Sequence, residues 1–206
     1  MARQHVVQAG DCIASIGFLH GFLPDTIWND AANGSLRAQR RDGNVLAPGD
    51  VVTVPDPHPK HCACATDRRH VFRRRGVPEL LRLQFLRGGR PRVGLAYELW
   101  VDGQLSTGTT DDEGRIVVHI PPAAREATLM LGAHERFRLQ LGGLEPSEEA
   151  SGARRRLVNL GLLDSEDSGT EGFARALRRF QRRHGLAITG SLDEATGHAL
   201  RDVHGA

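Results

Sequence analysis

The chain is short of cysteine, aromatic residues and lysine, and each shortage narrows what it can do. Three cysteines, Cys12, Cys62 and Cys64, occur in 206 residues. An odd count, with two of them one residue apart, is no disulfide framework. It fits synthesis in a reducing cytosol. Aromatic residues make up 5% of the chain, which suits small folds with modest cores. They are too sparse to interleave with the basic runs as a base-stacking platform would need. Lys60 is the one lysine, so nearly all positive charge is arginine, a bias of composition. The net charge of +2 gives no strong field for nucleic acid or an anionic membrane. The runs Arg73-Arg74-Arg75, Arg154-Arg155-Arg156 and Arg178-Arg179 with Arg182-Arg183 therefore read as solvated faces. No apolar run is long enough to span a bilayer. The opening Met1-Ala-Arg-Gln-His5-Val6 has no apolar h-region, so the protein is expected to be cytoplasmic at synthesis.

Catalytic signals are also missing. There is no G-x-S-x-G and no H-E-x-x-H. Asp111, Asp112 and Glu113 fall in an expected turn and are explained by it. Cys12 with His5 or His20 is the one conceivable dyad, but a cysteine at the start of a helix in so small a unit reads as packing. His58, His61, Cys62, Cys64 and His70 crowd one stretch and raise the question of zinc. Cys62-x-Cys64 in extended chain points both thiols the same way, unlike the Cys-x₂-Cys of a structural site. The expectation is no enzyme, no metal and no cofactor, with the zinc question left to metal analysis.

What is present divides the chain into three small units, a multidomain α+β architecture. Pro55-Asp-Pro57-His-Pro59 is a stiff break, because each proline disfavours helix in the residue before it. Gly142-Gly143-Leu-Glu-Pro146 is a second. The expected boundaries are 1–56, a linker at 57–67, 68–142, a linker at 143–149, and 150–206.

The first unit has a strand at His5-Val6-Val7-Gln8, a turn at Gly10-Asp11 with Asp11 as helix cap, and an apolar face of Ile13, Ile16 and Leu19. A second helix near Pro24-Asp25 holds Ile27 and Trp28. The unit closes on Leu46-Ala-Pro48-Gly49-Asp50-Val51-Val52-Thr53-Val54-Pro55. This β-α-α-β order, with His5 to Asp11 at one end and Pro48-Gly49-Asp50 at the other, resembles a LysM domain. The resemblance implies binding of glycans containing N-acetylglucosamine, between the loop after the first strand and the loop before the second. Those positions are Gly10, Asp11, Cys12, Ile13, Asn44, Val45 and Leu46. A polar, arginine-bearing insertion at 31–44 lies beside that groove.

The middle unit alternates apolar and polar residues in short stretches, at 81–86, 97–101, 116–120, 128–131 and 137–141. Asp102-Gly103 is a hairpin turn, since both positions accept positive φ. Such spacing predicts a small antiparallel β-sandwich. The pattern Tyr97-x-x-x-Val101-Asp102-Gly103, followed by Gly108-x-Thr110-Asp111-x-x-Gly114, resembles transthyretin-like domains. Such domains recur on spike proteins and effectors of contractile injection systems, including type VI secretion, where they are scaffolds and docking surfaces.

The last unit reads as three helices. The first runs over 154–160 to Gly161. The second carries Phe173, Ala176, Leu177 and Phe180 at helical spacing and stops at His184-Gly185. The third is expected to start on a Ser191/Glu194 capping box and to turn Leu192, Thr196, Ala199 and Val203 inward. The stretch from Ala174 through Phe180-Gln181, His184-Gly185-Leu186, Thr189-Gly190 and Asp193 to Thr196 resembles the helical peptidoglycan-binding domain of bacterial wall enzymes. Family members usually carry a D-G-x-x-G-x-x-T loop before the long helix; here 163–172 is shorter and more acidic. These resemblances imply a non-enzymatic protein that binds peptidoglycan. The alternative they allow is an adaptor or cargo-docking component of a contractile injection apparatus, exported by that machine and partnered by its spike or effector proteins.

Overall fold

The computed structural model describes residues 2–58, 61, 63–71, 79–166 and 168–205. Cys62, Lys60 and the run Arg73-Arg74-Arg75 lie outside the described residues. The chain is mixed α+β and divides into two compact units that interleave in sequence. One comprises Met1–His5, Ile13–Gly34 and Val51–Gly142; the other comprises Val6–Cys12, Ser35–Asp50 and Gly143–Ala206.

The N-terminal elements are β1 (Arg3–Val6), α1 (Ile13–His20), α2 (Pro24–Trp28), a 3₁₀ turn (Ala31–Asn33), α3 (Gly34–Arg40) and β2 (Val51–Val54). β1 pairs with β2, and α2 packs on α1 and β2. The expected β-α-α-β order gains an extra helix, because the 31–44 insertion is built into the fold. Its Asn33 is 1% exposed. Asn33 Nδ2 donates to Ile27 O and Thr53 O at 2.8 Å, and its Oδ1 accepts from Thr53 N at 2.8 Å. One amide side chain thus pairs with β2 as a neighbouring strand would.

Among the described residues, the middle of the first unit holds eight strands, all paired antiparallel. They are β3 (Glu79–Gln84), β4 (Leu86–Arg87), β5 (Arg90–Pro91), β6 (Ala96–Val101), β7 (Gln104–Thr109), β8 (Arg115–Ile120), β9 (Glu126–Leu131) and β10 (Glu135–Gln140). A four-stranded sheet has the order β10-β9-β6-β7; β3 pairs with β8, and β4 with β5. Leu99, Ile116, Leu129 and Leu131 are at most 1% exposed and share one core with Leu81, Leu83 and Val118. Truncating such a residue to Ala costs about 2–5 kcal/mol. The β6–β7 hairpin turns on Asp102 (φ 47°) and Gly103 (φ 78°), the two positive angles that a type I′ turn needs.

The motif residues of this sheet are architectural. Tyr97 pairs with Gly108 in register, and a Cβ at Gly108 would lie 2.8 Å from the Tyr97 hydroxyl. Thr110 Oγ1 donates to Arg92 O at 2.7 Å and accepts from Leu95 N at 2.9 Å. Asp111 Oδ1 accepts from Glu113 N at 2.9 Å and Arg115 N at 2.7 Å, closing the turn before β8.

The second unit contains α4 (Ala150–Asn159), α5 (Thr170–Arg183) and α6 (Glu194–His204). Ala176, Leu177 and Phe180 are fully buried beside Leu157 and Leu200, with Phe173 at the margin of the cluster. Helix α5 ends at His184, and Gly185 follows at φ 68°. Two details of α6 differ from expectation. Its cap is Asp193, whose Oδ1 accepts from Thr196 N at 2.8 Å, and not Ser191. Thr196 is buried as expected, with Gly197 and Leu200, and Leu192 and Ala199 pack on the same core, but Val203 is 43% exposed.

Candidate functional site

The seven residues assigned to glycan binding separate by burial. Ile13, Val45 and Leu46 are buried at 2%, 7% and 4% exposure, so their side chains serve the core. Asp11 and Cys12 are half-buried and Asn44 is exposed. Gly10, Asp11, Cys12, Asn44, Val45 and Leu46 belong to the second unit, whereas Ile13 groups with the first. The two loops are joined near their strands: Val7 N donates to Asp50 O at 2.8 Å, and Gly49 N to Val7 O at 2.9 Å. Asp11 Oδ2 accepts from Gln8 N at 3.1 Å, which holds the first loop closed.

Gly10 has Gly143 as a neighbour. A Cβ added to Gly143 would sit 3.4 Å from both the Cα and N of Gly10, so the two backbones are in van der Waals contact. Arg155 donates to the Gly143 carbonyl and pairs with Glu166 at 3.1 Å. The chain entering the helical module therefore packs on the loop that the LysM resemblance assigned to sugar.

Inside the helical module, the resemblance-bearing residues form one buried polar network. Gln181 is fully buried beside Phe180. Its Nε2 donates to Thr189 Oγ1, Ser191 O and Thr196 Oγ1, each at 3.0 Å, and its Oε1 accepts from Gly190 N at 2.9 Å. The motif Gln181…Thr189-Gly190…Thr196 thus ties the α5–α6 loop to both helices. A fully satisfied buried amide specifies a geometry as well as stabilising it. The shortened 163–172 loop is anchored by Arg154, which donates to Ser168 O and lies 4.3 Å from the Phe173 ring centroid.

The turn at 145–148 is wedged between helices. Gly152 of α4 faces the Glu145 and Pro146 carbonyls so closely that a Cβ would collide with them. A Cβ on Gly197 of α6 would meet Ser147 O at 3.5 Å. The run Arg154-Arg155-Arg156 is not simply a solvated face. Arg156 is fully buried, donating from Nη1 to Glu145 O at 2.6 Å and Gly152 O at 3.1 Å. Sequence reasoning missed it because nothing local separates a buried arginine from its two half-buried neighbours.

These features fit one known module. Residues 147–200 match the family model of a peptidoglycan binding domain. No curated protein and no solved structure matches the chain. The match supports a helical peptidoglycan-binding domain over α4, α5 and α6, and peptidoglycan as its partner in general terms.

The remaining candidates stay dispersed. His5 Nδ1 and His20 Nε2 lie 3.5 Å apart with the rings edge-on. Burial, then His5 and Arg3, lowers the His20 pKa. Among the described residues no three His, Cys, Asp or Glu side chains gather as a metal site. His58, His61 and Cys64 are exposed, and His70 Nε2 is 2.8 Å from Ala65 O. No helix among the described residues is long and apolar enough to cross a membrane.

Proposed function

We propose that the chain is a peptidoglycan-binding protein that holds wall polymer without cleaving it. The observation that carries this reading is the match of 147–200 to a peptidoglycan binding domain, on helices tied together through Gln181. A rigid surface loses little conformational entropy on meeting a polymer, which favours weak but repeatable contacts. Any glycan contact by the LysM-like loops falls to Asp11, Cys12, Asn44 and the backbone, since Ile13, Val45 and Leu46 are buried. Two weak sites on one chain gain avidity on a repeating polymer.

Co-sedimentation with purified sacculi tests the reading. The full chain is expected in the pellet, above a control protein of the same size and net charge. Recovery equal to the control would sink it. Zymography on the same sacculi tests the non-enzymatic part, with no clearing expected.

A further inference from the structure

A pocket of about 240 Å³ opens in the second unit, between the end of α3, the 146–148 turn and helices α4 and α6. Four arginines line it: Arg40, Arg41, Arg156 and Arg201. Among the described residues two carboxylates line it, Asp42 and Glu148. Glu148 is engaged by Arg201 at 3.2 Å. Arg40 is held by Asp50, Nε to Oδ2 at 2.7 Å and Nη2 to Oδ1 at 2.8 Å, with Glu149 4.0 Å away on its other side. Among the described residues, Arg41 has no carboxylate partner.

Three features mark this site. Ser147 is 1% exposed, and its Oγ has no hydrogen-bond partner. Buried hydroxyls are nearly always satisfied, so an orphan in a pocket wall calls for one. Arg41 holds φ at 61°, a left-handed angle that glycine or asparagine adopts far more readily just past a helix end. Strain of that kind persists where the side chain serves a purpose. Arg156 is fully buried, and desolvation pushes its pKa down to about 10, with Arg201 adding to the fall and Glu148 and Asp42 opposing it.

We infer that this pocket binds a carboxylate and, resting on the wall-binding reading above, that the carboxylate is a free one on a peptidoglycan peptide stem. Guanidinium groups present N–H forks that match the two oxygens of a carboxylate. The volume is below the range of pockets that enclose drug-sized ligands, which suits one carboxylate and its nearest substituents better than a disaccharide. Helices and the 146–148 turn supply Ser147, Arg156 and Arg201, while the 35–50 segment supplies Arg40 and Arg41, so both resemblance-bearing regions contribute.

Calorimetric titration of the full chain tests this. The probes are N-acetylmuramyl-L-alanyl-D-isoglutamine, which carries one free carboxylate, the same compound amidated there, and inorganic phosphate. The acid form is expected to bind at least tenfold tighter than the amide. Arg41→Gly and Ser147→Ala should each weaken the acid form at least fivefold while melting temperature holds or rises, since one relieves strain and the other removes an orphan hydroxyl. No binding of the acid, equal binding of acid and amide, native-like binding by both variants, or displacement by equimolar phosphate overturns the assignment. Sacculus retention is scored separately. Retention of all three proteins without acid binding leaves the wall reading standing and removes the pocket. Acid binding without retention does the reverse.

Discussion

Gln181 Nε2 donates to Thr196 Oγ1 over 3.0 Å, with both residues fully buried. The same amide also reaches Thr189 and Ser191, so one side chain closes the α5–α6 loop. Removing it takes the acceptor from the Gly190 N–H and one partner from the buried Thr196 hydroxyl. Gln181→Ala is expected to cost about 2–4 kcal/mol. Chemical denaturation followed by circular dichroism of the helical transition checks this; a loss below about 1 kcal/mol would show the network to be dispensable.

Arg40 and Asp50 form a second restraint, inside the 35–50 segment. Desolvation works to raise the Asp50 pKa, but the Arg40 hydrogen bonds, the Ala47 N–H and the Arg40 charge outweigh it and hold it below the usual carboxylate value. A depressed acid stabilises the fold fully above its unfolded pKa, about 3.9, and loses that contribution as pH falls through the folded value. Asp50→Asn is expected to lose about 2 kcal/mol at pH 7 and to flatten stability below pH ~4. Denaturant midpoints at pH 7 and pH 3 measure both.

His204 acts in a higher pH window. Burial, then the charge of Arg156, lowers its pKa. Asn159 Nδ2 donating to His204 Nε2 over 2.9 Å leaves the ring proton on Nδ1, which is buried without a partner. Above pH ~6.5 the ring is neutral folded and unfolded. As pH falls through that value the unfolded chain takes up a proton that the folded chain resists, and stability declines until the folded pKa is reached. Melting temperature is expected to be lower at pH 5 than at pH 7.5, and His204→Gln should reduce the difference. An unchanged slope in the variant would assign it elsewhere.

Gly114 and Gly152 are fixed by different constraints. Gly114 has φ 70°, and a Cβ there would lie 2.6 Å from Phe85 O and 2.8 Å from Arg92 N. Gly152 is helical but faces the Glu145 and Pro146 carbonyls. Each substitution to Ala is expected to cost about 3 kcal/mol or more. Scanning calorimetry should show Gly114→Ala lowering the transition of the sheet unit and Gly152→Ala that of the helical unit. A common shift in both would mean the units unfold together.

The sequence made legible whatever a local pattern encodes. The stripe Ala176, Leu177 and Phe180, the Asp102-Gly103 turn and the Gly185 stop all depend on residues within one or two turns of each other. Helix α3 was hidden because Gly34-Ser-Leu-Arg-Ala-Gln-Arg40 buries only Leu36 and has no apolar period. Its anchors are polar and distant, Asn33 to Thr53 and Arg40 to Asp50. The α6 cap was misplaced because Ser191-x-x-Glu194 and Asp193-x-x-Thr196 both fit the spacing. Thr189 and Thr196 decide it by holding the Asp193 carboxylate. At the site, Ser147 and Arg156 have no sequence signature at all, since their burial comes from the close approach that Gly152 and Gly197 permit.

The packing of Gly10 on Gly143 has a consequence for how the protein is made. Synthesis runs from the N-terminus, so residues 6–12 and 35–50 emerge long before the helices that complete their unit. Contacts of such sequence separation slow folding. The early segments do have each other meanwhile, through Val7 with Asp50 and Arg40 with Asp50. The contact of Gly10 with Gly143 closes only once the ribosome has passed the sheet, so a truncation after Gly142 would leave that side of the first loop uncovered.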